Sequence, residues 1–485
     1  MTTRVPVLRL LPIIVVGLAC TIDFEVRGDE AIMIGSRREL FVDHRLIAKL
    51  DGIALRMHEP RPSGVALKFD RPWEGPFSGY VTILQDGDVH RMYYRGLPEL
   101  VDFTDAECTC YAESTDGIHW VKPELELYEV FGTRKNNVIL HGEAPASHNF
   151  APFVDTRPGA PADERFKAVG GSESSGLLAY ASPDGIHWRR WGRKPILTGG
   201  AFDSQNVVFW SEAEKCYVCY FRVYTDVRSI ARATSADFAT WSKPEIMEFG
   251  QAPHEHLYTN QTFPYPRASQ LYVSLPMRYF ANRKVLDDAT FDALPIHAAY
   301  RPHVRQESTD GVLMTSRGGN RYDRTFLEAF MRPGLDPGNW VSRSVMAARG
   351  LVQTGPTEMS IYYQQHDGQP SAHLRRFSLR LDGFASAYAG HVGGELLTTP
   401  VTFSGGELEI NFSTSAGGCV QVEIQDADGV PLPGYAVGEC PEMIGDAVER
   451  IVSWKSGSDV SKLAGKTVRL RFVMRDADLY SFRFR

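Results

Sequence analysis

Most of the chain alternates apolar and polar residues in short runs that turn-forming residues separate. Runs such as YVTILQD, VVFWS and CYVCYFRVY are rich in β-branched and aromatic residues, and Gly, Asp, Asn and Pro cluster between them. A period of two places successive side chains on opposite faces of a β-strand, and the turn residues bound each strand. The pattern therefore predicts an all-β fold of many short strands.

One turn sequence recurs. It reads AESTDGIHW at 112–120 and AYASPDGIHW at 179–188, with a degenerate copy, ATSADFATW, at 233–241. In such a turn the aspartate caps the backbone, the glycine takes a positive φ and the tryptophan anchors the turn to the core. Copies spaced by roughly 50 to 70 residues, each among several short strands, are typical of the blades of a β-propeller.

The runs around these turns group into five units, and the sequence pattern changes near residues 385–395. The later runs, among them GELEINFSTS and TVRLRFVMRDADLYSFRF, are typical of an antiparallel β-sandwich. The sequence thus predicts a five-bladed β-propeller over 36–388, followed by a C-terminal antiparallel β-sandwich over 389–485.

The N-terminus carries Arg4 and Arg9 ahead of an apolar run from Leu10 to Cys20. This order is typical of a secretory signal peptide, which we place at 1–24, although a buried strand or a misassigned start codon is the alternative. The prediction is a secreted or periplasmic protein, with membrane attachment only if Cys20 is lipidated. In an exported protein the remaining cysteines are compatible with disulfides, Cys419 with Cys440 being one candidate pair.

Charge and motifs exclude several classes of function. The net charge is -7, which provides no basic field for a nucleic acid. The chain lacks convincing motifs for nicotinamide, flavin or nucleotide binding, so no cofactor is predicted. His254 and His256 have no third ligand at a suitable spacing, so no metal site is predicted either.

Polar residues stand where each predicted unit begins, at the ends of strands that would line a propeller channel. They interrupt otherwise apolar strands, which a purely structural core does not require. The residues are Asp70 and Glu74, His148 and Asn149, Asp203, Gln205 and Asn206, Tyr258, Asn260 and Gln261, and Glu358.

Glycoside hydrolysis needs two carboxyl groups, one to protonate the leaving oxygen and one to act as base or nucleophile. Asp203 as base or nucleophile and Glu358 as general acid form the predicted pair, and capping of a strand is the alternative role for both. Asp70 is a third catalytic candidate, although it and Glu74 are also explained by a loop contact.

The other strand-start residues suit recognition of a sugar. The amides of Asn149, Gln205, Asn206 and Asn260 can donate to and accept from hydroxyl groups, and Glu74, His148 and Tyr258 join the predicted binding set. Arg95, Arg222 and Arg278 end analogous strands, and Arg317 and Arg324 follow in the fourth unit. An arginine-rich rim of this kind would suit an acidic sugar. Ion pairs with protein carboxylates are the alternative for these arginines.

Four features of the sequence are shared with known proteins: the SxDGxxW turns, FDSQNVVFW, MYYRG and the final LYSFRF. In these features the chain resembles the five-bladed propeller glycosidases, the invertase-like family 32 and the arabinanase-like family 43 of glycoside hydrolases, in their secreted bacterial form. In invertase-like enzymes the first three blades supply a nucleophile aspartate, a stabilising aspartate and an acid glutamate. This chain offers Asp70 in the first, no RDP motif in the second, and Asp203 in place of the glutamate.

These observations lead to two hypotheses about function. The first is an exported glycoside hydrolase that acts on a poly- or oligosaccharide, an acidic one if the arginines bind it. The second is a non-catalytic carbohydrate-binding or surface-adhesion protein, which would follow if the departure from the invertase pattern has removed the active site.

Overall fold

The computed structural model describes residues 31–485, so the predicted signal peptide at 1–24 and Cys20 lie outside the described residues. Most elements are β-strands, arranged in several separate sheets. No helix within 31–485 is both long enough and apolar enough to span a bilayer.

The first three sheets each contain four antiparallel strands that pair in chain order. Sheet 1 comprises Gly79–Asp86, Val89–Gly96, Cys108–Ser114 and Val138–His141; sheet 2 comprises Ala151–Val154, Phe166–Ser172, Gly176–Ser182 and Arg189–Arg190; sheet 3 comprises Val207–Ser211, Cys216–Tyr224, Arg228–Ser235 and Glu245–Ile246. The short helices Ala146–His148 and Ala162–Glu164 lie in the connections of sheet 2.

The fourth unit divides into two three-stranded sheets. Their strands are Phe263–Tyr265, Ala268–Ser274 and Met314–Ser316, and His256–Leu257, Met277–Phe280 and Ser308–Gly311. Between Phe280 and Ser308 the chain forms an insertion, 281–307, with the helices Asp288–Ala293 and Arg301–Val304.

The fifth sheet combines strands that follow the fourth unit with one strand that precedes sheet 1. Its strands are Met346–Ala347, Val352–Gln353, Glu358–Gln365 and His373–Arg380, completed by the N-terminal strand Arg61–Lys68; the helix Pro337–Trp340 precedes them. The pairing of Arg61–Lys68 with His373–Arg380 connects residues that are more than half the chain apart.

Apolar cores join each sheet to the next around a circuit. Tyr93 of sheet 1 packs with sheet 2, whereas its neighbour Tyr94 packs with Tyr362 of the fifth sheet. Further cores join sheet 2 to sheet 3, sheet 3 to the fourth unit, and the fourth unit to the fifth sheet. Because both faces of a sheet are covered, strands such as Val207–Ser211 are buried along their whole length.

The centre of this circuit is filled by three long polar side chains. Gln205 donates to the Tyr80 carbonyl and to Thr82, and Gln261 donates to Gln205 and to the Ala347 carbonyl. Arg349 donates to the Pro152 and Val208 carbonyls. These contacts bring the first strands of the sheets together and satisfy backbone groups that would otherwise be buried without partners.

The C-terminal strands form a ten-stranded sheet system that also takes in the N-terminal segment 32–57. Its strands are Ile32–Gly35, Glu39–Leu40, Ile47–Asp51, Ile53–Met57, Ala385–Ala389, Gly394–Thr398, Val401–Phe403, Leu408–Gln425, Asp446–Ile451 and Thr467–Phe484, with helices Val437–Glu439 and Ser461–Leu463. The predicted boundary assigned 36–57 to the propeller, but these residues pair with C-terminal strands. Cys419 and Cys440 are buried free thiols, so the candidate disulfide is not present.

The recurring turn has the same hydrogen bonds in its three copies. In the second, Asp184 accepts from the backbone N–H groups of Ile186 and His187 at 2.9 and 2.8 Å, and Trp188 donates to the Gly185 carbonyl. Burial raises the pKa of Asp184, but these hydrogen bonds lower it more, so its pKa lies below the ordinary range.

We expect Asp184→Ala to lower the free energy of unfolding by about 1–2 kcal/mol, the usual effect of losing a side chain that caps backbone N–H groups. The midpoint of urea unfolding measures the change. Asp88→Ala, at an exposed hairpin position in sheet 1, is the matched control and should change the midpoint little. Equal effects of the two substitutions would show that the turn hydrogen bonds do not contribute.

Candidate active site

The strand-start residues of sheets 1 to 3 and the fourth unit meet at one end of the circuit. The rings of Tyr80 and His148 lie 5.5 Å apart in an edge-to-face contact. Asp203 pairs with the guanidinium of Arg222, which lies over the Tyr258 ring at 5.1 Å. This group forms the candidate active site.

Asp203 is the carboxylate of this group that solvent can reach. Its side chain is 41% exposed, whereas Arg222 is 3% exposed. Burial lowers the pKa of the Arg222 guanidinium, but Asp203 and the neighbouring tyrosines together raise it more, so Arg222 remains protonated and holds the carboxylate in place.

Glu107 and His148 form a buried hydrogen-bonded couple, and the charge of Asp203 acts on the imidazole. Glu107 Oε1 lies 2.6 Å from His148 Nδ1, and both side chains are nearly inaccessible. Burial raises the pKa of Glu107 to about 7, although Arg95 opposes the shift. Burial, and then Arg95, lower the pKa of His148 well below its usual value. The couple therefore consists of a protonated carboxyl group and a neutral imidazole in weakly acidic solution.

Arg95 fixes the position of this couple. Its Nη1 lies 3.1 Å from His148 Nδ1 and 3.2 Å from Nε2, and its Nη2 donates to the Phe77 carbonyl. The ring of Phe103 also packs on the imidazole, with 4.2 Å between centroids.

Asp102, Glu107 and His148 bring possible metal-ligand atoms within 4.8 Å of one another. The guanidinium of Arg95 lies against the same imidazole, and its positive charge opposes a cation there. The residues therefore suit proton transfer better than metal binding.

A cavity of about 210 Å³ opens beside the Asp203 group, and the insertion 281–307 covers it. Tyr300 of the insertion packs against Phe77 and Leu97 of the first unit and anchors the cover. The cavity is lined by Leu100, Arg228, Tyr258, Tyr279, Tyr300, His303, Glu307, Ser342 and Arg343.

Strained backbone occurs around this site. Tyr80 has a φ of 50° and Arg343 a φ of 67°, in the left-handed region that bulky side chains rarely adopt. Such conformations cluster at functional sites because the surrounding structure must hold them.

The structure brings four of the predicted site residues together: Asp203, Arg95, His148 and Tyr258. The predicted amides serve the backbone instead. Asn149 binds the Gly171 and Phe202 carbonyls, Asn206 binds Phe202, and Asn260 reaches the Tyr220 carbonyl; Gln205 lies on the axis. Each is buried, which explains why polar residues interrupt these strands without any need for a ligand.

Glu358 is placed away from Asp203, which corrects its assignment to an innermost strand. It begins a strand that pairs on both sides, and the inner position belongs to Met346–Ala347 and Val352–Gln353. It lines a separate cavity of about 530 Å³ with residues of the C-terminal sheet. Burial raises its pKa, but bonds from Thr354 and Arg376 lower it more, so the raised pKa expected of a general acid is not present.

The remaining predicted residues also form internal pairs. Lys122 forms ion pairs with Asp70 at 3.1 Å and with the buried Glu74 at 2.6 Å. This is the loop contact that the sequence analysis gave as the alternative role of these two residues. Arg278 pairs with Asp310 and Glu255. Arg317 and Arg324 likewise pair with protein carboxylates.

Four residues of the site were missed in the sequence: Tyr80, Glu107, Arg228 and Arg343. Arg228 begins a strand and Tyr80 lies near the start of another, so the strand-start criterion could have found both. Glu107 and Arg343 lie in loops whose course the strand pattern does not specify.

Comparison with known proteins gives structural similarity without sequence similarity. No family model matches the chain, and no curated protein matches it. Among solved structures, a glycoside hydrolase is 12% identical with a TM-score of 0.44, covering 66% of this chain and 92% of that one. An N-acetylgalactosamine deacetylase from F. plautii is 13% identical with a TM-score of 0.43, and the match covers 68% of this chain and 96% of that one. A fructofuranosidase from Schwanniomyces occidentalis is 9% identical with a TM-score of 0.40, and the match covers 88% of this chain and 98% of that one.

Proposed function

We propose that the protein is a glycoside hydrolase whose active site is the Asp203 group. The observation that carries the proposal is that His148 is hydrogen-bonded to one carboxyl group, Glu107, and lies within electrostatic reach of a second, Asp203. Glu107 has a pKa raised to about 7 by burial, and Asp203 is half-exposed and paired with an arginine. A carboxyl group whose raised pKa lets it carry a proton near neutral pH, in the same site as an ion-paired carboxylate, is typical of acid–base catalysis.

In this mechanism His148 delivers the proton to the leaving glycosidic oxygen. Nδ1 of His148 takes up the Glu107 proton as the opposite ring nitrogen releases its own, so the couple acts as one acid. Asp203 acts on the sugar as base or nucleophile, and Arg222 keeps it oriented. Asp203 and His148 are the catalytic residues, whereas Glu107 acts through His148.

The proposed fold and location agree with this activity. We interpret the circuit of sheets as a five-bladed β-propeller, closed by the strand Arg61–Lys68, and the C-terminal sheet system as a β-sandwich completed by 32–57. The apolar N-terminal run supports an exported protein that meets polysaccharide outside the cytoplasm.

The test is the release of reducing ends from a panel of neutral, uronate-containing and sulfated polysaccharides by the wild type and by Asp203→Asn. We expect the variant to lose at least a hundredfold in kcat/KM, because the amide cannot accept a proton. Asp163→Asn, which alters an exposed aspartate paired with Arg189 at 2.9 Å, should retain the wild-type rate.

Three outcomes would contradict the proposal. Equal rates for the wild type and Asp203→Asn would exclude Asp203 from the reaction. A loss of activity in Glu358→Gln without a loss in Asp203→Asn would place the active site in the cavity that Glu358 lines. Tight glycan binding with no turnover on any substrate would favour the non-catalytic binding protein.

A further inference from the structure

The cavity beside Asp203 contains guanidinium groups that the protein does not neutralise or fully engage. We infer that the substrate carries an anionic group, a carboxylate or a sulfate ester, and that Arg228 and Arg343 bind it in this cavity. The inference rests on the proposed function, because it names the class of sugar that the Asp203 site accepts.

Arg228 is the first element of the argument. No carboxylate oxygen of residues 31–485 lies within ion-pair distance of its guanidinium, and its side chain makes no hydrogen bond to that part of the chain. Its Nε is buried and unpartnered. The group lies instead over the rings of Tyr279, at 4.7 Å, and Tyr258, at 5.5 Å. These rings hold the guanidinium in position and leave its N–H groups free to donate.

The neighbouring Arg278 shows a different arrangement. Arg278 lies one residue before Tyr279 and pairs with two carboxylates, Asp310 at 2.8 Å and Glu255 at 2.7 Å. A partly buried guanidinium without a counter-ion carries a desolvation penalty. A ligand carboxylate or sulfate would relieve that penalty through charge-assisted hydrogen bonds.

Arg343 supplies the second group of donors. Its Nε binds the Tyr300 hydroxyl at 2.7 Å and lies 3.3 Å from Asp367. These contacts occupy one edge of the guanidinium, and no hydrogen bond within 31–485 involves its Nη atoms. Arg343 also has a positive φ, a strained backbone conformation of the kind that clusters at functional sites.

The other lining residues are compatible with a single acidic sugar. Glu307 is the one carboxylate among them, and it accepts the Tyr279 hydroxyl at 2.6 Å. Tyr258 and Tyr279 offer aromatic faces of the kind that contact sugar rings. A volume of about 210 Å³ is below the roughly 300–1,000 Å³ of drug-sized sites, so one sugar unit enters while the rest of the glycan lies outside.

The test measures binding without turnover, so it is independent of the hydrolysis assay. Isothermal titration calorimetry compares galacturonate, galactose 6-sulfate and galactose, each with the wild-type protein and with Arg228→Gln. We expect an anionic sugar to bind at least tenfold more tightly than galactose, with the advantage lost in Arg228→Gln and reduced at high salt. The preferred anion distinguishes carboxylate from sulfate recognition.

Two further variants control the experiment. Arg283→Gln changes an arginine outside the cavity that lies over Phe280 and should leave binding unchanged. Arg228→Lys keeps the charge without the planar fork and should recover part of the affinity, which excludes misfolding as the cause of the loss. Equal affinity for galactose and both anionic sugars, or wild-type affinity in Arg228→Gln, would overturn the inference.

Failure of this inference and failure of the proposed function give different results. Hydrolysis of a neutral polysaccharide that depends on Asp203, without any preference for anionic sugars, would retain the hydrolase and remove the anionic substrate. Binding of an anionic sugar that depends on Arg228, without hydrolysis, would retain the anionic ligand and remove the hydrolase.

Discussion

Asp382→Asn is expected to lower the free energy of unfolding by about 3–5 kcal/mol, the range measured when one partner of a buried ion pair is removed. Asp382 is fully buried and accepts hydrogen bonds from Tyr265 at 2.7 Å and Arg267 at 2.9 Å in the fourth unit. It also accepts from Asn411 and Ser481 of the C-terminal sheet system. One carboxylate therefore joins the circuit of sheets to the C-terminal strands.

The substitution isolates charge from shape. Asp382 has a φ of 61°, which asparagine also tolerates, so the backbone can remain unchanged. The amide cannot neutralise Arg267 and Arg38, and Arg38 lies 3.4 Å from the carboxylate in a buried position. Urea unfolding followed by fluorescence and circular dichroism measures the change.

Asp446→Asn is the matched control, because Asp446 pairs with Arg380 across the same boundary but is 67% exposed. Exposed ion pairs contribute about 0–1 kcal/mol, so this variant should unfold close to the wild type. A change below about 1 kcal/mol for Asp382→Asn would show that the buried pairs do not hold the two parts together.

The pH dependence of stability follows from the same contacts. Burial raises the pKa of Asp382, but Arg267 and Arg38, with hydrogen bonds from Tyr265 and Ser481, together lower it more, so its pKa in the folded protein lies below the ordinary value. A depressed carboxyl pKa contributes stability above the unfolded-state pKa and loses it as the pH falls through the folded-state pKa. The wild type should therefore lose more stability on acidification than Asp382→Asn.

The sequence predicted the strand content and the segments that form the successive sheets, because alternation and turn residues are local signals. It did not predict that 32–57 joins the C-terminal strands or that Arg61–Lys68 completes the fifth sheet. Those pairings depend on contacts between distant parts of the chain, and a short alternating run does not specify its partner.

The candidate site was predictable only in part, for a related reason. A polar residue at a strand start serves a ligand or the backbone, and the sequence does not distinguish the two. Asp203 and His148 lie in the site, whereas Asn149 and Gln205 satisfy buried carbonyls. Glu107, which changes the chemistry of His148, lies in a loop that only the folded chain brings to the imidazole.

Glu107→Gln is expected to lower kcat/KM by about 10²–10⁴, the usual contribution of general acid catalysis. Because burial raises the pKa of Glu107 to about 7, the wild-type activity should fall as the pH rises above that value and the couple loses its proton. Glutamine keeps a hydrogen bond to His148 but carries no such proton, so the variant should lack this alkaline limb. Glu113→Gln, which changes a carboxylate bonded to Tyr111 at 2.9 Å, should keep both the rate and the pH profile.

The stability of the same variant tests the raised pKa of Glu107 independently of catalysis. A raised carboxyl pKa contributes stability below the unfolded-state pKa, and this contribution disappears as the pH rises through about 7. Above that pH the wild type must bury a charged carboxylate beside His148, whereas Glu107→Gln does not. The free energy of unfolding of the variant should therefore improve relative to the wild type as the pH rises. A pH-independent difference, together with an unchanged alkaline limb of activity, would show that Glu107 holds the loop in place but supplies no proton.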